Sequence, residues 1–395
     1  MKEAALPSSV DGEALRLFTD SVERYGQNKY GFDAYRHLLC ATPAFSKQAW
    51  NDYAQMGWLS VALPIEDGGF GSHPQAVAAL MQYCGERLAL EPLFASALVC
   101  GQLLALCGSG SGNGEQARSR LDALAGGRLF AFAHSENTSD AFDGPVAAAV
   151  NDDKLFGRKV VVLHGDVADE LLVSVSEAPH GTDPAPQRLS IYAVSTDQPG
   201  IHKTSYRLLD GRGAASFSFD AAQATLLGVR GEGARMLAPT LRDARLALCA
   251  EAQGAMRALN RLTLAHLKDR RQFGRPIGMN QALQHRMVEM YMLEQESTAV
   301  VASAHRAVGH AAVFAGGLAE SQTERNLIGA VAHVMAASRH ISHEAVQMHG
   351  GMGTTDELAV GHYFKRIMVT NRLLGDRDAH VDAFARADAA AQGRP

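Results

Sequence analysis

Gly350, Gly351 and Gly353 follow the apolar-periodic run AVQMH, so they stand just past the end of a helix. Glycine there can take positive φ and let the backbone come close to a ligand, although the same cluster can be an ordinary helix C-cap. A second stretch about 75 residues upstream sharpens the ligand reading: Arg270-Arg271-Gln272-Phe273-Gly274-Arg275-Pro276-Ile277-Gly278, followed by Gln281. Other candidates fall away. GSGSGNG, from Gly108, has no Gly-Lys-Ser/Thr after it and no strand before it, so it is a loop rather than a phosphate cradle. Cys40, Cys84, Cys100, Cys107 and Cys249 lack metal-ligand spacing and read as apolar residues of a reducing compartment, with no metal expected.

The two stretches resemble the acyl-CoA dehydrogenase family, flavoproteins that desaturate acyl-CoA thioesters, and the chain is identified as a member. In that family an R-x-x-F-G turn with a following Gln and a Q-x-x-G-G-x-G turn bind the ADP half of FAD, and that FAD belongs to the neighbouring subunit. Arg270, Gln272, Phe273, Gln281, Gln347, Gly350, Gly351 and Gly353 stand at those positions. Residues 58–71, WLSVALPIEDGGFG, resemble the family's N-terminal signature, so the resemblance covers nearly the whole chain.

The family's reaction removes an α-proton to a carboxylate while the β-hydrogen leaves as hydride to the flavin, which demands an oriented base of raised pKa. In most members the base is a Glu in a turn after the last long helix. Here that turn reads Leu373-Leu374-Gly375-Asp376, so Leu374 occupies the base position and Asp376 replaces a flavin-contacting Thr. A minority of the family carries the Glu directly before a helical Arg. That Arg resembles Arg245, and the residue before it is Ala244. Asp243 points about 100° away from Ala244 on a helix, and Glu251 lies about 10.5 Å further along the axis. Asp376 is the remaining weak candidate for a relocated base.

The middle of the chain departs from the family too. The segment offered to the subunit's own flavin reads Ser135-Glu136-Asn137-Thr138-Ser139-Asp140. In Gly157-Arg158-Lys159-Val160-Val161-Val162-Leu163, Val161 replaces a ring-packing Trp and Leu163 a flavin-bonding Thr. VVVL fits an ordinary β-core strand better, and the only tryptophans, Trp50 and Trp58, lie elsewhere. Residues that serve a neighbour's FAD are kept; those that serve the chain's own are lost. The resemblance therefore implies the base-lacking partner in a heteromeric dehydrogenase, a type known in bacterial degradation of sterol side chains, dicarboxylates and similar bulky acids. Its expected partners are an acyl-CoA substrate, a second dehydrogenase-like subunit or another copy of itself, and an electron-transfer flavoprotein-like acceptor. Alternatives are a self-sufficient dehydrogenase using Asp376, a flavin monooxygenase of the same fold drawing on His134 or His349, and a structural paralogue without FAD.

The elements that must position these residues follow from periodicity. Residues 1–127 show apolar positions at three- and four-residue spacing and are expected to be helical. Residues 128–232 hold short β-branched runs separated by turns, with NDD before KLFGRKVVV as a hairpin signal and 178–187 as an exposed Pro-rich loop. Residues 233–395 carry three long apolar-striped segments, expected as a helical bundle. The fold class is α+β, mainly α: an N-terminal helical domain, a middle antiparallel β-domain and a C-terminal four-helix bundle. A chain of 395 residues suffices for two or three domains. A net charge of −5 without a basic block argues against nucleic acid, and no apolar run reaches the roughly 18 residues of a spanning helix. The N-terminus lacks a leader pattern, and a cytoplasmic location is expected.

Overall fold

In the computed structural model the described residues are 12–71, 73–109, 113–138, 144, 146–177, 188–313 and 317–391. The chain opens with α1 (Gly12–Asn28), α2 (Phe32–Cys40), α3 (Lys47–Gln55) and α4 (Pro74–Arg87). The apolar segment that follows is π-helical and wholly buried over Leu93–Cys100, then α-helical and mostly buried in α5 (Gly101–Gly108). The helix α6 (Gly114–Ala125) closes this part. Ser46 starts α3 by accepting the Ala49 N–H at 3.1 Å, the usual task of an N-cap serine. Gly69 is dictated by packing, because a Cβ there would lie 2.2 Å from the Leu63 carbonyl oxygen.

Among the described residues eight strands follow: β1 (Phe130–Ala133), β2 (Ala149–Asn151), β3 (Lys154–Leu163), β4 (Glu170–Ser176), β5 (Leu189–Ser195), β6 (Ile201–Arg207), β7 (Gly213–Gln223) and β8 (Thr225–Leu227). They form two four-stranded sheets, ordered β1-β4-β5-β8 and β2-β3-β7-β6. Pairing is antiparallel except between β1 and β4, which run parallel. The NDD signal is the β2–β3 hairpin: Asp152 and Asp153 both take positive φ, 48° and 58°, as a two-residue type I′ turn requires. Pro-rich 178–187 lies outside the described residues, as do Ser139 and Asp140.

The helical remainder consists of α7 (Gly233–Asp269), a two-residue ribbon of β9 (Arg271–Gln272) and β10 (Arg275–Pro276), α8 (Gln281–Val313), α9 (Gly317–His349), α10 (Ala359–Thr370) and α11 (Arg377–Ala391). The chain divides into two compact units. One holds Met1–Asn28, Arg36–Leu80 and Leu90–Ala244; the other holds Lys29–Tyr35, Met81–Ala89 and Arg245–Pro395. In the second unit α9 packs against α8, α10 and α11 and so forms the centre of the bundle.

Two devices fix that bundle. Gly85 and Gly254 let the end of α4 cross α7 closely, since Cβ atoms there would come 1.8 Å from the Glu251 carbonyl oxygen and 2.0 Å from that of Gln82. Beside the crossing, Arg366 and Glu251 form an ion pair at 2.9 Å with both side chains 1% exposed. Arg366 also donates to the carbonyls of Leu88 and Ala89. A buried pair contributes by geometry more than by net energy, yet losing one partner leaves an uncompensated charge and costs about 3–5 kcal/mol. Among the described residues no helix is long and apolar enough to cross a membrane.

Candidate functional site

The Arg270 stretch folds as a tight ribbon at the end of α7. Arg270 N–H donates to the His266 carbonyl at 2.9 Å, closing the helix, and Ile277 N–H returns to the Arg270 carbonyl at 2.8 Å. Between the strands, Phe273 and Gly274 both take positive φ, 50° and 78°. Glycine accepts that conformation freely, whereas an aromatic residue does so at a cost in strain. Phe273 is also fully exposed, at 103%. A strained aromatic ring standing in solvent has no packing role within its own chain. Arg270, Gln272 and Gln281 are exposed beside it. Among the described residues the Arg270 guanidinium has no hydrogen-bond or ion-pair partner.

The second segment caps α9 with the 3-10 turn Gly350–Thr354. Gly350 has φ +63°, and Cβ atoms at Gly350 or Gly351 would meet nothing within 4 Å. Gly353 differs: its Cβ would lie 2.7 Å from the Val346 carbonyl oxygen, so its own chain requires it. Internal packing thus explains Gly353 but not Gly351. Gln347, one turn before, is exposed. The two segments converge through residues the motifs do not include. His266, in the last turn of α7, stacks on His349, the last residue of α9, with ring centroids 4.2 Å apart. A free cation, three exposed amides, an exposed aromatic ring and open glycine backbone form a donor set that fits a dinucleotide's adenosine and pyrophosphate. His266 was absent from the sequence reading, and its place one turn before Arg270 was the only available signal.

At the two base positions the structure is closed. Ala244 is 4% exposed and Leu374 5% exposed. Leu374 lines a cavity of 10 Å³ with Arg245, Cys249, Val331, Met335 and His380. That space admits at most one water. The carboxylates nearby are engaged. Asp243 accepts from Gln102 at 2.7 Å and from Arg242 at 2.8 Å, and Glu251 is held by Arg366. Asp376 is exposed and caps α11 by accepting the Ala379 N–H at 2.9 Å.

The β region keeps its frame and alters its face. Lys159 is fully buried and donates to Glu136 at 2.8 Å, to the His134 carbonyl at 2.8 Å and to Ser174 at 3.3 Å. Burial pulls its pKa down to about 8 against the opposing pull of Glu136. Glu136 in turn accepts the N–H groups of Ala147 and Ala148 at 2.8 and 2.9 Å. VVVL is not the uniform core strand expected from its composition. Val160, Val162 and Leu163 are buried, but Val161 is 39% exposed on a bulge with φ 52°. Its N–H donates to the Tyr206 hydroxyl at 3.0 Å, which helps hold this outlier for a β-branched residue. His134 bonds Ser174 at 2.8 Å and stacks on Phe132. Trp50 and Trp58 are buried among the N-terminal helices, as their positions in sequence imply.

Comparison with known proteins follows the same lines. The model of the acyl-CoA dehydrogenase C-terminal domain matches residues 231–388. The acyl-CoA dehydrogenase IpdE2 of Mycolicibacterium smegmatis is 29% identical over 366 residues, 92% of this chain and 95% of that protein. The ChsE4-ChsE5 complex from Mycobacterium tuberculosis is similar in structure with a TM-score of 0.81 at 23% identity, over 97% of this chain and 99% of that one. PigA with FAD and proline has a TM-score of 0.81 at 18% identity, over 96% and 98%. At those identities the solved structures bear on the fold. Residues 231–388 thus match the acyl-CoA dehydrogenase C-terminal domain, and the chain is similar to a curated acyl-CoA dehydrogenase over almost the full length of both.

Proposed function

We propose that this chain is the base-lacking subunit of a heteromeric, FAD-dependent acyl-CoA dehydrogenase. It grips the ADP half of FAD in a neighbouring subunit, and that subunit supplies the carboxylate which removes the substrate's α-proton. Bound FAD supplies the hydride acceptor for α,β-desaturation of the thioester. Arg270 meets the pyrophosphate charge, Phe273 and Gln272 flank the adenosine, and Gly350 and Gly351 present open backbone. Gln281 and Gln347 complete the polar set, and Gly353 shapes the turn.

The observation that carries this reading is the contrast at the two ends of the proposed chemistry. Leu374 is buried beside a cavity of only 10 Å³, whereas Phe273 is strained and fully exposed. A chain built to act alone has no use for that ring. An open groove of 720 Å³ continues from the ribbon along α7 and α8 through Leu264, Leu267, Met279, Val288 and Tyr291. Several of its apolar side chains are more than half exposed, which suits coverage by the same neighbouring subunit. The geometry lends no support to Asp376 as a relocated base, because it is an exposed helix cap. His134 and His349 are both engaged within the fold, so oxygen chemistry has no free imidazole to draw on there. An electron-transfer flavoprotein-like acceptor and an acyl-CoA substrate complete the proposed reaction.

Co-purification tests the proposal. Co-expression with a Glu-bearing dehydrogenase paralogue is expected to yield a mixed assembly with activity toward an acyl-CoA. A homotetramer of this chain with full FAD and dehydrogenase activity would sink it.

A further inference from the structure

We propose that His266 and His349 are positioning residues, a stacked clasp that holds the two FAD-gripping segments in register and releases them when the pair takes up a proton. The inference rests on the reading of those segments as an FAD grip. Its geometric basis is independent of that reading.

The rings stack at 4.2 Å between centroids with 25° between their planes. Each ring sits where its helix ends. The His266 carbonyl accepts the Arg270 N–H, and His349 directly precedes Gly350. The stack therefore ties the end of α7 that carries Arg270 to the end of α9 that carries the glycine turn. His349 is 8% exposed, and its Nδ1 lies 2.8 Å from the Ala345 carbonyl oxygen. A carbonyl only accepts, so Nδ1 carries the proton, and the neutral ring leaves Nε2 bare.

Protonation works against this arrangement. His266 is faced by His349 across the stack and by Arg270 and Asp269 from its own stretch. Burial pulls its pKa below the usual histidine value, reinforced by His349 and Arg270 and opposed by Asp269. Burial does the same to His349, against the pull of its bond to Ala345. Both rings lie at helix C-termini, where the dipole favours a cation, so desolvation and the neighbouring positive charge win over the dipole. A histidine whose folded pKa is depressed stabilises its fold fully above its unfolded value of about 6.5. That contribution is lost as pH falls through the lower folded value. The clasp is closed at neutral pH and opens on acidification.

The test uses the mixed assembly and reads FAD release by fluorescence across pH, with thermal melting as the check on folding. Wild type is expected to lose affinity about tenfold or more between about pH 7.5 and pH 5.5. His266→Phe keeps the stack but leaves His349 as its one titrating ring, so it should bind as wild type at the upper pH and lose clearly less affinity than wild type at the lower. His266→Ala should bind weakly at both. An unchanged acid profile in His266→Phe, or wild-type binding by His266→Ala, overturns the clasp. Arg270→Ala separates this from failure of the grip itself: if it leaves FAD affinity unchanged, the segments do not hold FAD and both ideas fall together.

Discussion

Two turns in the C-terminal unit join a large apolar residue to a glycine of positive φ, and they point to opposite conclusions. Phe273-Gly274 ends in solvent with a strained, fully exposed ring. Leu374-Gly375 turns its side chain inward, 5% exposed, against Arg245, Cys249 and Met335. A residue satisfied inside its own chain needs no explanation beyond packing. A residue that is strained and unpacked points outside the chain. The comparison separates what this protein keeps for itself from what it offers to a neighbour, and the base position falls on the first side.

The largest expected effect comes from forcing the buried turn to resemble its catalytic counterpart. Leu374→Glu places a carboxyl in a cavity with no room for solvation and should destabilise the chain by about 2–4 kcal/mol without creating activity. Burial raises the introduced pKa above the usual value of about 4.3, so the deficit grows as pH rises through that value. Thermal melts at acid and neutral pH check the sign, and gain of dehydrogenase activity by the chain alone would break the comparison.

Arg270→Ala acts on the exposed side. Loss of charge-assisted bonds should weaken FAD binding in the mixed assembly by about 1.5–3 kcal/mol, with the melting temperature of the isolated chain unchanged. Titration of the apo-assembly with FAD reads this directly.

Phe273→Gly sharpens the contrast because its two effects have opposite signs. Relief of positive-φ strain should stabilise the isolated chain by about 1 kcal/mol, while FAD binding weakens. A ring with only a structural role would lose stability instead. Smallest is Asp376→Ala, which removes a helix cap and costs about 1 kcal/mol. Turnover of the mixed assembly should not change, and Asp376→Asn, which can still cap, should restore stability.

Much of this was legible in sequence because it is local. The RRQFG and GGMG runs, the three long apolar stripes and the Asp152-Asp153 turn each depend on residues close in the chain. What sequence did not reveal depends on distant pairing or on exposure. The parallel pairing of β1 with β4 is set by non-local register. Strand β6, IHKTSYR, is mostly exposed and carries no apolar alternation to announce it. Val161 reads as core by type, yet a bulge turns it outward. The His266–His349 stack joins the ends of two helices far apart in sequence, and no spacing rule finds it.

The central claim is that this chain completes a cofactor site in another subunit, and FAD content per chain tests it most directly. The account predicts little flavin in the chain purified alone, rising to about one FAD per pair of chains after co-expression with the Glu-bearing paralogue. One FAD per chain in the protein purified alone, with dehydrogenase activity, would contradict it.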